Sequence, residues 1–378
     1  MGPGSTPVSI ASKGKGVDMS IFKGAVSARR YRVLGELPEG WRSAFVDRLL
    51  AYAASSPSLS GQGDMVKMGA SLQDNLLDTT FDDLDRWLND SYIVFNFRVD
   101  KLEMPKGKIK ARTEQRIRAW ISEQGVERCP ASIRRQIKEA VIAELSGENR
   151  IKMHAYEVAW NVNGGELYFG STAEKLNDDF RKWFLRCFGL KLSARELPGR
   201  FKVTKTSVEP DICWPSSDLF LWVFHRSAVL GGGVGRPGEE LSISVGDRIV
   251  FKDADTKITV KGSRAQDKQE TRRALLQRRE IEDLDVELYV GGDLYGSFGM
   301  KGFVPDLLKV KSAMPEPEGA ASERRVAKML DHERVVATMD GIAETFVEVR
   351  EDEEAWAKIR AEVMAWAGVD SPSNDGKA

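Results

Sequence analysis

The sequence predicts a mixed α/β fold of the α+β type, and three observations carry that reading. Stretches with period-two hydrophobic alternation, such as Ser91–Lys101, are interleaved with stretches of helical period, such as Pro130–Leu145. Hairpin-type turn residues separate short apolar runs, as at Asn163-Gly164-Gly165. The 378 residues are 42% hydrophobic, enough for a large core spread over several subdomains.

The first twenty residues lack the apolar segment of a signal peptide and read as a flexible leader. A strand is expected at Ala25–Leu37 and a helix at Trp41–Ala54, where Phe45, Leu49 and Tyr52 fall near helical spacing. Ser55–Gly63 has loop composition. In Ser91–Lys101, Ile93, Phe95, Phe97 and Val99 alternate with Val94, Asn96, Arg98 and Asp100, which predicts a half-buried strand. Pro105 and Pro130 open two helices. Ile109, Ile117, Trp120 and Ile121 supply an inner stripe on the first, and Ile133, Ile137, Val141 and Leu145 on the second. Met153–Val162 and Glu166–Gly170 form a hairpin. Ser171 and Glu174 have capping-box spacing before a helix that carries Phe180, Trp183 and Phe184 and stops at Gly189.

The second half repeats the mixture. An apolar helix is expected at Leu219–Leu230 and strands at Leu241–Lys252, Lys257–Lys261 and Leu284–Gly291, with a further hairpin through Gly299. A charged helix is placed at Ala265–Arg279. Beyond the Pro/Glu/Gly linker Met314–Gly319, Ala320–Gly368 reads as two helices broken near Gly341, and Val369–Ala378 as a disordered tail. The expected regions are 21–195, 196–313 and 314–368.

Composition excludes several classes of function. The three cysteines, Cys129, Cys187 and Cys213, make no CxxC pair, and only His154, His225 and His332 are available as imidazole ligands. No motif implies a cofactor. No apolar run approaches the roughly 20 residues that span a bilayer, and a cytoplasmic location is expected. The net charge of −1 rules out a global Coulomb attraction for polyanions, so any such function needs segregated charge.

Segregated charge is present. Lys106, Lys108, Lys110, Arg112, Arg116, Arg118, Arg128, Arg134, Arg135 and Lys138 face only Glu114, Glu123 and Glu127 over that stretch, a local net of +7. Lys108, Arg112 and Arg116 fall at i, i+4 spacing, as needed to neutralise successive phosphates. A solvated face paired with acids elsewhere accounts for such a run equally well. A second basic segment, Lys261–Glu280, carries Lys268, Arg272 and Arg273 and has a net of +4.

Other features carry less. Gly231–Gly238 lacks the GxxxxGK[ST] pattern of a phosphate loop. Asp82, Asp83 and Asp85 could hold a divalent cation but are better explained as helix-start charges. His154 and His225 lie in structural settings, and Trp160, Trp183, Trp214 and Trp222 read as core rather than as a base-stacking track.

The element order resembles that of the recombination-associated protein RdgC family. The resemblance runs through Asp64-Met65-Val66-Lys67-Met68-Gly69, the strand at Ile93–Val99 and the basic helical insertion. It continues through the Tyr156–Trp160 strand, the Gly165–Gly170 turn and strand, the Ser171–Leu190 helix, and Phe220–Arg226 before a glycine-rich turn. It spans roughly residues 24–368 and is nearest to the longer, divergent members. Ala70 departs from it, standing where many relatives have an aromatic residue.

The resemblance implies a multi-subdomain subunit that pairs into a ring-shaped homodimer. Such a ring encircles double-stranded DNA without sequence preference through a positive lumen. It also implies nucleoid association, antagonism with RecA for access to DNA, and a role at replication forks and in recombination. Separately, the absence of a compelling acid–Lys or His site in the sequence argues against catalysis. No individual lumen residue is carried over by a motif, so the cations named above are nominated by charge and spacing. Two alternatives stay open. One is a metal-dependent DNA exonuclease. The other is a protein-interaction factor that docks a recombinase through the Ala320–Gly368 helices.

Overall fold

A computed structural model describes residues 19–57, 65–194, 216–234, 240–301, 307–315 and 317–368. Nearly all of the leader, most of the Ser55–Gly63 loop, Asp64, Cys213, Trp214, Gly235–Gly238 and the tail lie outside the described residues.

The N-terminal half contains β1 (Met19–Ser20), β2 (Lys23–Leu34), α1 (Trp41–Ala51), β3 (Val66–Ser71), β4 (Leu88–Asn89) and β5 (Tyr92–Glu103). It continues with α2 (Lys106–Gln124), α3 (Ala131–Glu144), β6 (Arg150–Asn161), β7 (Glu166–Phe169), α4 (Glu174–Phe188) and β8 (Lys191–Ala194). The remainder comprises α5 (Ser216–Phe224), β9 (Leu241–Lys252), β10 (Lys257–Lys261), α6 (Gln269–Leu276), β11 (Glu280–Val290), β12 (Asp293–Lys301), β13 (Leu307–Ser312), α7 (Ala321–Glu351) and α8 (Glu353–Gly368).

The strands form one antiparallel sheet in the order β10-β9-β11-β12-β13-β2-β7-β6-β5-β3, with β1 and β8 on β2 and β4 on β5. Regions 21–195 and 196–313 are therefore two halves of one sheet, joined where Val310 of β13 pairs with Val26 of β2. The fold is mixed α/β, with eight α-helices among the described residues.

Two cores flank the sheet. On one face, α1 and α4 bury an aromatic cluster in which Phe169 stacks on Phe180 with ring centroids 4.1 Å apart. On the other, α5, α7 and α8 cover residues from both halves, including Tyr92, Val94, Val286 and Phe298. The tryptophans at 160, 183 and 222 are all core, as their apolar settings predict.

Strand β5 is thus buried on both faces rather than half-buried. Its polar register is satisfied internally: Arg98 pairs with Asp100 at 3.0 Å and donates to the Leu76 carbonyl, while Ser56 donates to Asp100. Gly69 of β3 is required by a close approach, since a Cβ there would lie 2.6 Å from the Ala53 backbone. The neighbouring Ala70 is fully buried in the aromatic core.

Several expected boundaries move. Ser171 does not cap α4; its hydroxyl accepts from the Ala173 amide, and Ala173 is the residue that precedes the helix. Asn177 instead ties the helix start down, donating to the Ser171 and Ala173 carbonyls and accepting from Tyr31. Gly299 lies within β12 opposite Asp285, and the β11–β12 turn falls at Gly291-Gly292, both at positive φ. Helix α7 runs unbroken through Gly341, because Val335, Val336, Ile342 and Phe346 bury one side of it and Asp340 anchors it to Arg30 of β2. The break comes at Asp352, whose carboxylate accepts from the Glu354 and Ala355 amides at the start of α8.

The expected helix at Ala265–Arg279 is a short 3₁₀ turn at Ala265–Asp267 followed by α6. Helix α6 closes with the Arg279 amide bonded to the Ala274 carbonyl and the Arg278 amide to that of Leu275. Arg278 sits at φ 57, in the left-handed position that such ends usually give to glycine. An L-residue there costs about 1 kcal/mol.

Candidate nucleic-acid interface

Strands β5 and β6 pair along their whole length, from Tyr92 opposite Asn161 to Glu103 opposite Arg150. Helices α2 and α3 are inserted at the end of this ribbon and pack chiefly on each other. At 1.5 Å per residue the 19 residues of α2 make an arm about 28 Å long. Its core is small: Ile109, Val141 and Leu145 are buried, with Met104, Ile137 and Ile142 partly so. Ile117, Trp120 and Ile121 of the expected inner stripe are only partly covered.

All ten cations nominated on this arm are exposed. They do not form one surface. Relative to the packing stripe, the helical turn of about 100° per residue puts Lys108, Arg112 and Arg116 on one flank of α2 and Lys110 and Arg118 on the other. On α3 it puts Glu144 on one flank and Arg134 and Lys138 on the other.

The contacts show how these flanks combine. Lys108 pairs with Glu148 at 2.6 Å, Arg112 with Glu144 at 3.3 Å, and Arg116 with Glu144 at 2.5 Å. The i, i+4 stripe that first suggested a phosphate track is therefore the ion-paired face. The +7 net was reached by stopping at Lys138. Glu139, Glu144 and Glu148 follow with no further cation before Asn149, and the complete arm carries +4.

The opposite broad face carries Lys110, Arg118, Arg134 and Lys138, none of them in an ion pair among the described residues. Glu114 is the acid on that flank of α2. The Lys108–Glu148 and Arg112–Glu144 pairings fix the register of the helices and bring Lys138 level with Arg118. Arg134 then lies about 6 Å toward the tip and Lys110 about 12 Å toward the base. Arg135 pairs with Glu139 on α3 itself, Lys106 begins α2, and Arg128 lies in the connection between the helices.

The second basic segment is not brought to this arm. Helix α6 packs on β10 and α8, at the other end of the sheet order from β5 and β6. Lys268 donates to the Lys261 carbonyl. Arg272 donates to the Trp366 carbonyl, with its guanidinium 4.0 Å from the Trp366 ring centroid. These two cations hold local structure at a place in the sheet order far from the arm. Arg273 is exposed beside them.

The remaining candidates have structural roles. Gly231–Gly233 docks on β9 through bonds between Gly232 and Ile243 and a bridge from Gly233 to Ser242. Asp83 accepts from the Asp85 amide at the start of a 3₁₀ turn. Nearby, Arg86 pairs with Asp78 at 2.7 Å and Asp74 at 2.9 Å, and its hydrogen bond holds the Asp78 carboxyl down at about 2. His225 is buried, 2.7 Å from Glu362. Burial, with Lys152 and Lys101 nearby, lowers the pKa of His154. No group of three or more His, Cys, Asp or Glu among the described residues is arranged to hold a metal ion. No helix among them is long and apolar enough to cross a membrane.

Sequence reasoning missed the neutralising acids Glu144 and Glu148. Their signal was accessible, since they lie within three turns of Lys138 and share the helical period of Val141. No protein-family model and no curated protein matches the chain.

Proposed function

We propose that this chain is a non-catalytic, sequence-independent binder of double-stranded DNA that grips the phosphate backbone with the α2–α3 arm. The observation that carries the reading is the face with Lys110, Arg118, Arg134 and Lys138, four cations with no ion pair among the described residues, on an inserted helical arm. Cations spaced in this way neutralise phosphates and release counterions with no contact to base edges.

The RdgC-like element order supports the larger reading: a ring-shaped homodimer, nucleoid-associated, that limits RecA access to DNA and so modulates recombination. A two-fold pair presents the arm twice, which suits a lumen wall in a protein whose overall charge is only −1. Concentrating cations on an inner wall leaves a near-neutral exterior.

The test is an anisotropy titration of two unrelated duplexes over a range of salt. Equal affinities that fall steeply with salt are expected, with a log–log slope of about −4 per engaged arm. Weak binding at low salt, or strong preference for one duplex, overturns the proposal. Sedimentation of the free chain checks the dimer separately.

A further inference from the structure

A cleft of about 470 Å³ opens between α5, α6, the start of β11 and α8, within the range of small-molecule sites. Leu221, Leu275, Ile281, Val363 and Met364 line it. Among the described residues no aromatic side chain lines it. The apolar lining is aliphatic and suits a flexible hydrocarbon chain.

Three arginines reach the same cleft. Arg279 is committed, donating to Thr256 and pairing with Asp253. Arg278 has no ion pair among the described residues. Arg360 is exposed and lies 3.9 Å from Asp218, beyond hydrogen-bond distance. Asp218 is the buried acid of the cleft, and Arg350 already holds it at 2.8 Å. Glu280 is exposed at the edge. Arg360 also lies over the Trp356 ring at 5.9 Å, so it is held only loosely, and Arg278 alone of the three is without an ion pair among the described residues.

The backbone at Arg278 is a second, independent observation. Its left-handed conformation closes α6, a position where glycine is unstrained. A strained arginine with no ion pair among the described residues, held at the edge of a cleft, points to use of the side chain.

We infer that this cleft binds a single-chain amphiphilic anion. Its carboxylate or phosphate head would sit between Arg278 and Arg360, and its aliphatic chain over Leu221, Leu275, Ile281 and Met364. Guanidinium groups suit either head through paired, charge-assisted hydrogen bonds. The site is remote from the α2–α3 arm and does not depend on DNA binding.

Isothermal titration of the full chain with decanoate, decyl phosphate and decanol tests the inference. Saturable binding of decanoate or decyl phosphate, one per chain, is expected, with decanol bound at least about tenfold more weakly. The tighter of the two anions identifies the head group, and either supports the site. Arg278→Gly and Arg360→Ala are each expected to weaken it about tenfold or more. Glycine fits the left-handed position, so Arg278→Gly keeps the fold, which circular dichroism verifies. No saturable binding of either anion, decanol binding as tightly, or unchanged affinity in both variants overturns the inference.

Discussion

The Arg116 guanidinium on α2 lies 2.5 Å from the Glu144 carboxylate on α3, and Arg112 reaches the other oxygen of the same carboxylate at 3.3 Å. One glutamate therefore occupies two of the three cations in the i, i+4 stripe, and Glu148 occupies the third. The arm is polarised into an ion-paired face and an unpaired one.

This polarity ranks charge reversals. Arg118→Glu with Lys138→Glu is expected to weaken binding to every duplex alike and to reduce the salt slope by about 0.9 per lost contact. Arg112→Glu with Arg116→Glu is expected to have a smaller effect. Anisotropy titrations of both double variants on the same duplexes decide the matter. A larger loss from the Arg112/Arg116 pair would mean that phosphate displaces Glu144, making the ion-paired face the binding surface.

Glu144→Gln supplies the converse. It removes one negative charge and frees Arg112 and Arg116 without altering side-chain size. Duplex affinity is expected to rise at low salt, with the gain fading as salt screens it. Unfolding free energy should change by less than about 1 kcal/mol, because both pairs are exposed. A fall in affinity measured by the same titration would contradict this assignment of faces.

The β6–β7 hairpin was legible because its pattern is local: alternating residues on both sides of Asn163-Gly164-Gly165 suffice to specify it. Strand β13 was not, because pairing of Val310 with Val26 brings together positions about three-quarters of the chain apart. Gly341 misled for a related reason. A glycine weakens a helix by about 1 kcal/mol, but the tertiary contacts of Ile342, Phe346 and Asp340 outweigh that local preference. The candidate site was half legible. Charge run and helical period located the arm, but which of its cations are free depends on how α3 packs against α2.

The Asp78–Arg86 pair predicts an acid-sensitive contact. The Arg86 hydrogen bond holds the Asp78 carboxyl at about 2, below its ordinary 3.8. A depressed carboxylate contributes stability that is fully present above the unfolded value and is lost as pH falls through the folded one. The contribution should therefore fade between about pH 4 and pH 2. Carbon-detected NMR titration of the Asp78 carboxyl should give a midpoint near 2, and Arg86→Gln should move it up toward 3.8. An unchanged midpoint in that variant would show that the Thr80 bonds, not Arg86, set it.

The Arg30 guanidinium, 3% exposed, meets Asp340 through two bonds of 3.0 and 2.9 Å and reaches Glu166 at 3.3 Å. This links β2 at the middle of the sheet to the centre of α7. Removing one partner of a buried charge costs more than the pair contributes, because the remaining ion is left in a low-dielectric site. Asp340→Ala is therefore expected to lower the unfolding free energy by about 3 kcal/mol, reduced somewhat by the remaining Glu166 contact. Urea denaturation followed by tryptophan fluorescence measures it. Because Arg30 stays charged, the loss should persist across neutral pH. A second variant, Arg30→Met with Asp340→Leu, removes both charges and should recover much of the stability. If the double variant is no more stable than Asp340→Ala, packing of α7 rather than an uncompensated charge accounts for the loss.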